Sequence, residues 1–280
     1  MNILKSMRPR VGIIGYGAMG KALAARISRS YRVVVFDKNS AQCAQVALPV
    51  CCRDISQVFQ RSDALILAVK PQDFDALLQE IRPLISGQLV ISIAAGIPTG
   101  YIQKLLGPAV RVVRVMPNLP AKVGRGISGV CPGQSAGKAD LALALKLFSC
   151  VGQALCVDEA MMDAVTAVSG SGPGFFFAMV EDKPVSQWQQ FARETFIPQL
   201  AAAARNLGFS PAQGQLLAQA TSDGSLALLK ATGLTAQELR IQVTSKGGTT
   251  EAGLKVLAAG GSLAEAAQAA AQRSKELSRN

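Results

Sequence analysis

Two stretches of this sequence combine residue types at spacings that can do chemistry. The first is Gly15-Tyr16-Gly17-Ala18-Met19-Gly20, a G-x-G-x-x-G turn. The apolar run at residues 11–14 reads as a buried parallel strand before it. Residues 18–27, rich in Ala, Met and Leu and free of Pro, read as a helix after it. Strand, glycine turn and helix come in the order a dinucleotide needs. Gly15 permits the tight turn, Gly17 lets backbone approach a pyrophosphate, and Gly20 lets the helix lie against the strand. The phosphate would rest on the free N–H groups at the helix start. A second strand, residues 32–36, ends at Asp37, twenty residues after Gly17, where an acidic side chain meets an adenosine ribose. A ligand-free glycine turn in an α/β protein is the alternative to all three parts together.

The second stretch is Val243-Thr244-Ser245-Lys246-Gly247-Gly248-Thr249-Thr250-Glu251, hydroxyls and glycines ahead of a helix at residues 252–258. A helix start with free N–H groups and hydroxyls can hold a carboxylate. Helix capping by Thr249 or Thr250 is the competing role. The chain has no His, so His-based triads and His-ligated zinc are excluded. Its six cysteines form no C-x-x-C, and Cys51 and Cys52 are neighbours, a poor geometry for a bridge. Free or buried thiols in a reducing compartment are expected, and no metal.

The elements that must position these stretches alternate. Residues 64–69, 89–93 and 110–115 read as further buried strands. Residues 40–46, 54–60, 73–85 and 99–106 read as helical segments between them. This alternation predicts a parallel sheet with helices on both faces, and ligands then bind beyond the carboxyl ends of the strands. Four polar or glycine-rich strand ends fall there: the first turn, Lys70-Pro71-Gln72, Ala94-Ala95-Gly96 and Met116-Pro117-Asn118. Residues 127–131 and 154–157 suggest two more strands, with a helix at 134–148 between them. Beyond Asp158 the pattern is helical and Ala-rich, which puts a domain boundary near residue 160: a dinucleotide-binding domain at 1–160 and a helical domain at 161–280.

In that second half, Ser169-Gly170-Ser171-Gly172-Pro173-Gly174 either holds a loop near a ligand or lets helices cross closely. Phe175, Phe176 and Phe177 read as core. A polar, aromatic segment at 188–196 runs up to Pro198, and helices follow at 200–207, 211–230 and 263–277. This half is too thin to bury both faces of each helix alone, which predicts a dimer or larger assembly.

With 280 residues, 49% of them apolar, the chain has ample material for a core. No hydrophobic run suits a bilayer span, and residues 1–10 are basic without the apolar centre of a signal peptide, so a cytoplasmic protein is expected. The net charge of +11 suits anionic small ligands. The Lys and Arg are dispersed, which argues against a nucleic-acid partner.

Taken together, the motifs resemble those of the pyrroline-5-carboxylate reductase family. The first turn, Ala68-Val69-Lys70-Pro71-Gln72, Ala94-Ala95-Gly96, Met116-Pro117-Asn118 with Pro120, residues 169–173, and above all residues 243–250 are similar to the family's motifs. The resemblance implies an N-terminal Rossmann-type parallel sheet domain followed by an all-α dimerisation domain. It implies reduction of 1-pyrroline-5-carboxylate to L-proline with NADPH or NADH, in a homodimer or higher homo-oligomer joined through the C-terminal helices. The active site would lie between the nucleotide domain and the partner's helices.

By the same resemblance Gly15, Tyr16, Gly17, Ala18, Met19, Gly20, Asp37, Lys38, Ala68, Val69, Lys70 and Pro71 would bind the cofactor. Ala94, Ala95, Gly96, Met116, Pro117 and Asn118 would flank its nicotinamide. Ser245, Gly247, Gly248, Thr249 and Thr250 would bind the substrate carboxylate, with the Thr250 hydroxyl, the catalytic candidate, reaching the ring nitrogen. Asp37 opposes a 2′-phosphate, whereas Lys38, Asn39 and Ser40 could hold one, so the choice of cofactor stays open. Two departures stand out: Lys246 replaces a usual proline, and residues 182–198 look like an insertion after Glu181, the match to a family Glu. Another cyclic imino acid as substrate, a β-hydroxyacid dehydrogenase and a nucleotide-sensing protein without turnover are the rival readings.

Overall fold

The computed structural model of the chain describes residues 9–43 and 50–278. Most of the basic stretch 1–10, and residues 44–46 of the expected helix at 40–46, lie outside that range. Among the described residues the first half forms an eight-stranded sheet in the order β3-β2-β1-β4-β5-β6-β7-β8. The strands are β1 Val11–Ile14, β2 Val33–Phe36, β3 Val50–Cys51, β4 Ala64–Leu67, β5 Leu89–Ser92, β6 Val112–Met116, β7 Gly126–Pro132 and β8 Gly152–Cys156. Helices α1 Ala18–Ile27, α2 Ile55–Gln60, α3 Phe74–Ile81, α4 Thr99–Leu106 and α5 Lys138–Ser149 cover both faces.

Alternation along each strand sorts the core into two layers. Val11, Ile13, Val33, Val35 and Ile66 face α1 and α5, where Leu23, Ile27, Leu147 and Phe148 are buried. Ile14, Leu65, Leu67 and Val90 face α2, α3 and α4, against Phe59, Phe74, Leu78 and Ile102. Two strands, β7 and β8, run against the rest and depart from the parallel expectation. β7 pairs antiparallel with β6, and β8 pairs parallel with β7. Only Leu119–Val123, a short 3₁₀ turn, lies between β6 and β7. A parallel partner would need a crossover of a dozen residues or more, so the chain must double back.

The second half is helical: α6 Met162–Val165, α7 Gly172–Val180, α8 Trp188–Phe191, α9 Ile197–Asn206, α10 Pro211–Thr232, α11 Ala236–Val243, α12 Thr249–Ala258 and α13 Leu263–Leu277. Its core holds Phe175, Phe176, Phe177, Phe196, Leu200 and Leu217, all fully buried. Phe176 meets Phe196 edge-on at 5.0 Å. Helix α11 has no counterpart in the sequence reading, because Gln237, Glu238, Arg240 and Gln242 give residues 236–243 only a thin apolar stripe.

Where the insertion is expected, the helix is broken. Residues 181–184 leave α7, Val185–Gln187 is a 3₁₀ turn, and the Trp188 indole N–H donates to Val180 O at 3.2 Å and Lys183 O at 3.0 Å, closing the end of α7. Pro198 does not stop the helix that follows. A π-turn at Ala192–Phe196 precedes it, and the wider winding relieves the clash a proline ring makes with the carbonyl four residues back.

Candidate active site

The connections leaving β1, β4, β5 and β6 gather at the carboxyl edge of the sheet. β1 lies between β2 and β4, so the winding direction reverses there and opens the crevice typical of doubly wound sheets. Gly15 has φ +100°, and a Cβ on it would come within 2.6 Å of Ala68 O. The first turn is thus pressed onto the Ala68-Val69 backbone, where Ala68 N also donates to Ile14 O at 2.7 Å. A Cβ on Gly20 would stand 2.1 Å from Gly15 O, whereas one on Gly17 would meet nothing within 4 Å. Gly17 is the N-cap of α1 and supplies no side-chain cap. The first N–H groups of α1, from Ala18 and Met19, therefore point at an open backbone cradle that any side chain at Gly17 would fill. These residues fit a dinucleotide pyrophosphate.

At the end of β2, Asp37 accepts from Tyr16 N–H at 2.6 Å and from Asn39 N–H at 2.8 Å. Its carboxylate is fastened beside the glycine turn. Lys38 turns away to pair with Asp73 at 2.7 Å, and the Asp73 hydrogen bond and charge raise the ammonium pKa above its ordinary value. Lys70 is exposed, and Pro71 opens a 3₁₀ turn, Pro71–Asp73.

After β5, Ala94 N–H donates to Ser92 Oγ at 3.3 Å. Ala95 is exposed, while Gly96 takes φ +69° with Leu277 O of α13 only 3.0 Å from where its Cβ would be. After β6, Asn118 is 2% exposed. Its amide donates to Ser169 O at 3.1 Å and accepts from Ile127 N–H at 3.0 Å. Asn118 is thus a clamp between the sheet and the helical half. Met116 stands at the same junction, its Cε 3.0 Å from the position of a Cβ on Gly170.

The clamp leads to the second chemical stretch. Thr166–Gly170 is a π-turn, and Ser171 follows it, fully buried. Ser171 Oγ lies 3.0 Å from Thr249 Oγ1 and accepts from Thr250 Oγ1 at 3.2 Å. Three hydroxyls, from residues 78 and 79 positions apart, share one spot. Thr250 is 5% exposed, and its methyl lies 2.5 Å from where a Cβ on Gly174 would be. Glycine at 174 therefore makes room for the threonine.

Neither threonine caps α12. The N-cap is Gly248, without a side-chain bond, and Thr249 is the first helical residue. The first-turn N–H groups remain open to an anion. The loop before them is shaped by Gly247 at φ +69°, by Arg273 Nε donating to Gly247 O at 2.8 Å, and by Gly247 N–H donating to the Glu251 carboxylate. That backbone bond, ahead of Lys255, holds the Glu251 carboxyl below its usual range. Ser245 and Lys246 are exposed.

Sequence reasoning marked the Ser169–Gly174 motif but not Ser171 as the hydroxyl that joins the threonines. A serine between two glycines at a helix entry was the available signal, yet its direction depends on the π-turn. A 630 Å³ cleft at the opposite edge of the sheet contains none of these residues, and its two guanidiniums, of Arg10 and Arg111, are already paired with Asp63 and Asp140.

Two family models match the chain, one in the sheet half and one in the helical half. Residues 10–96 match the family model described as NADP oxidoreductase coenzyme F420-dependent. Residues 194–277 match the one described as pyrroline-5-carboxylate reductase dimerisation. A pyrroline-5-carboxylate reductase of Methanosarcina acetivorans is 36% identical over 281 residues, covering 96% of this chain and 97% of that protein. Among solved structures, a pyrroline-5-carboxylate reductase from Coxiella burnetii has a TM-score of 0.65 at 30% identity, over 97% of this chain and 99% of its own. A Plasmodium falciparum pyrroline carboxylate reductase with NADP bound has a TM-score of 0.63 at 26% identity, over 98% of this chain and 99% of its own.

Proposed function

The chain belongs to the pyrroline-5-carboxylate reductase family, and from this premise we infer that it reduces 1-pyrroline-5-carboxylate to L-proline with NADH or NADPH. The observation that carries the reading is kinship at 36% identity over 96% of the chain. The uncapped start of α1 and the hydroxyl cluster at the start of α12 supply the chemistry that reading requires.

The nicotinamide, when bound, supplies the hydride to the carbon of the cyclic C=N bond. The protein's own share is orientation, charge complementarity and exclusion of water. In this proposal Gly15 to Gly20 hold the pyrophosphate, Asp37 meets the adenosine ribose with Lys38, paired to Asp73, beside it, and Ala68 to Pro71 line the crevice. Ala94, Ala95, Gly96, Met116 and Pro117 flank the ring. Asn118 acts through its backbone and through the clamp on Ser169, its side chain being already engaged. Ser245, Gly247, Gly248 and Thr249 form the loop around the substrate carboxylate, with the Thr249 N–H at the helix start turned to it, the Gly247 and Gly248 N–H groups being bonded to Glu251 and Ser245. Thr250 Oγ1 donates a hydrogen bond to Ser171 Oγ, which leaves its lone pairs free to accept from a protonated ring nitrogen. A protonated imine is already electrophilic, so no imidazole is needed.

We take residues 1–160 as the nucleotide-binding unit and 161–280 as the helical, substrate-binding and subunit-joining unit. The protein assembles as a homo-oligomer, and we place the contact on the C-terminal helices. A cytoplasmic location, with neither nucleic acid nor membrane as partner, is part of the same proposal. It is supported by the dispersed basic charge and by the absence, among the described residues, of any helix long and apolar enough to cross a membrane.

The test is loss of NADH or NADPH absorbance on adding pyrroline-5-carboxylate, alongside a panel of other cyclic imines. Turnover of another imine alone would reassign the substrate. Silence on every imine, with the cofactor bound, would overturn the reading.

A further inference from the structure

Glu159 stands just past β8, where the helical half begins, and no motif pointed to it. Its Oε1 accepts from Arg114 Nη1 at 2.7 Å. Its Oε2 accepts from Thr99 Oγ1 at 2.7 Å and from Thr99 N–H at 3.3 Å. The Cys131 thiol also donates to Oε2 at 3.7 Å. Burial, then the neighbouring Glu159 charge, pushes that thiol up to about 12, so it stays a proton donor.

The partners are informative by position. Thr99 is the first residue of α4, three after Gly96, and its helix has no side-chain cap from Pro98. Glu159 therefore caps α4 from 60 residues away. Arg114 lies in β6, two residues before Met116, paired across the sheet with Ser92 and Cys131. Its side chain is 4% exposed, whereas that of Glu159 is 35% exposed. Arg114 Nη2 is buried with no partner, so its compensation rests on Glu159. One carboxylate thus ties the start of α4, after β5, to the Arg114 side chain of β6 and fastens both to the chain entering the helical half.

We propose that Glu159 is a positioning residue for the reduction: it sets the spacing between the Gly96 and Met116 loops that flank the hydride donor. The proposal rests on the reductase reading. Hydride transfer is sensitive to placement, and a misplacement of about 1 Å can cost about 100-fold in rate. A half-exposed carboxylate that merely stabilised the fold would not need to reach both loops.

The test is Glu159→Gln, which keeps the size but removes the charge, with Thr99→Val as a milder second variant that deletes one hydroxyl bond. Two readouts are taken. In cofactor-free protein, amide hydrogen exchange is expected to quicken at residues 96–99 and 114–118 in Glu159→Gln, and at residues 96–99 alone in Thr99→Val, with exchange of α10 unchanged in both. Because Arg114 loses its counter-charge, the melting temperature of Glu159→Gln is expected to fall while that of Thr99→Val stays near the unaltered protein's. In the assay, kcat for pyrroline-5-carboxylate is expected to fall about tenfold or more, with the fluorescence-measured Kd for NADH and the KM for the imine changing less than about threefold. Quickened exchange with unchanged kcat would make Glu159 merely structural. A fall in kcat without local exchange would remove the positioning role. Either result overturns the proposal, as does general destabilisation of both variants. If the unaltered protein turns over no imine, the reductase reading fails, while the exchange experiment still decides whether Glu159 holds the two loops together.

Discussion

In the proposed mechanism Thr250 is the residue on which the chemistry of the second half turns. Its methyl fills the space beside Gly174, and its hydroxyl bonds Ser171. Thr250→Val keeps the methyl and the volume while deleting the hydroxyl. It should fold and bind NADH as before, yet lose about one to two orders of magnitude in kcat/KM. That is the effect of removing a hydrogen bond to a charged group worth about 1.5–3 kcal/mol, if the contact tightens in the transition state. Steady-state kinetics beside a thermal melt would check it, and unchanged kcat/KM would leave Thr250 a packing residue. Asp37 is the second test at this scale. Its carboxylate is held by Tyr16 and Asn39 N–H groups, and Lys38 is occupied by Asp73. A fixed negative charge at the ribose end disfavours a 2′-phosphate. Asp37→Ser should therefore raise the ratio of NADPH to NADH kcat/KM by about fivefold or more, from roughly 1 kcal/mol or more of relieved repulsion. Equal ratios before and after would show that the carboxylate does not face that position.

At the scale of the element, the three glycines of the first turn separate function from folding. Gly17 faces open space, while Gly20 touches the Gly15 backbone and Gly15 touches Ala68. Gly17→Val should leave the melting temperature near that of the unaltered protein and abolish dinucleotide binding, measured by fluorescence titration. Gly20→Ala should instead destabilise by about 1–3 kcal/mol, since the carbonyl it meets cannot move without shifting the strand. Tight NADH binding by folded Gly17→Val would remove the phosphate cradle, and an unchanged melt for Gly20→Ala would show that α1 can lift off β1. Elements whose signal is local were legible beforehand: β1, β4 and β5 as apolar runs, α3 by its period, and α13 by its Ala-rich stretch after Ser262. α11 was not, because its apolar stripe is thin, and neither was the direction of β7, because strand direction depends on how far the chain travels before pairing.

At the scale of the molecule, the helical half leaves apolar surface uncovered in a single chain. Val185 and Ile241 are 70% and 61% exposed, and an apolar groove of about 660 Å³ runs between Trp188 and Leu226, Leu229 and Leu234. Ile241 and the groove residues Leu226, Leu229 and Leu234 lie within residues 194–277, which match the dimerisation model, and the surface is expected to be covered by a second copy. Light scattering at low micromolar concentration should give at least twice the 29.2 kDa chain mass, and dilution should lower activity and melting temperature together. A stable, active monomer would overturn this.

The amino-acid order alone determined the glycine turn and its acidic partner, the helical second half, and the hydroxyl-rich entry to α12. Each is written in neighbours within a few residues, where φ/ψ preference, apolar period and free helix N–H groups act locally. Only the tertiary structure decided that Ser171 joins Thr249 and Thr250, that Asn118 spends its amide on Ser169 and Ile127, and that Glu159 spans from Arg114 to Thr99. Those contacts join residues up to 79 positions apart. They arise from where α7 crosses α12 and where β6 meets the start of the helical half, and the glycines that permit such crossings do not specify which side chains will meet there.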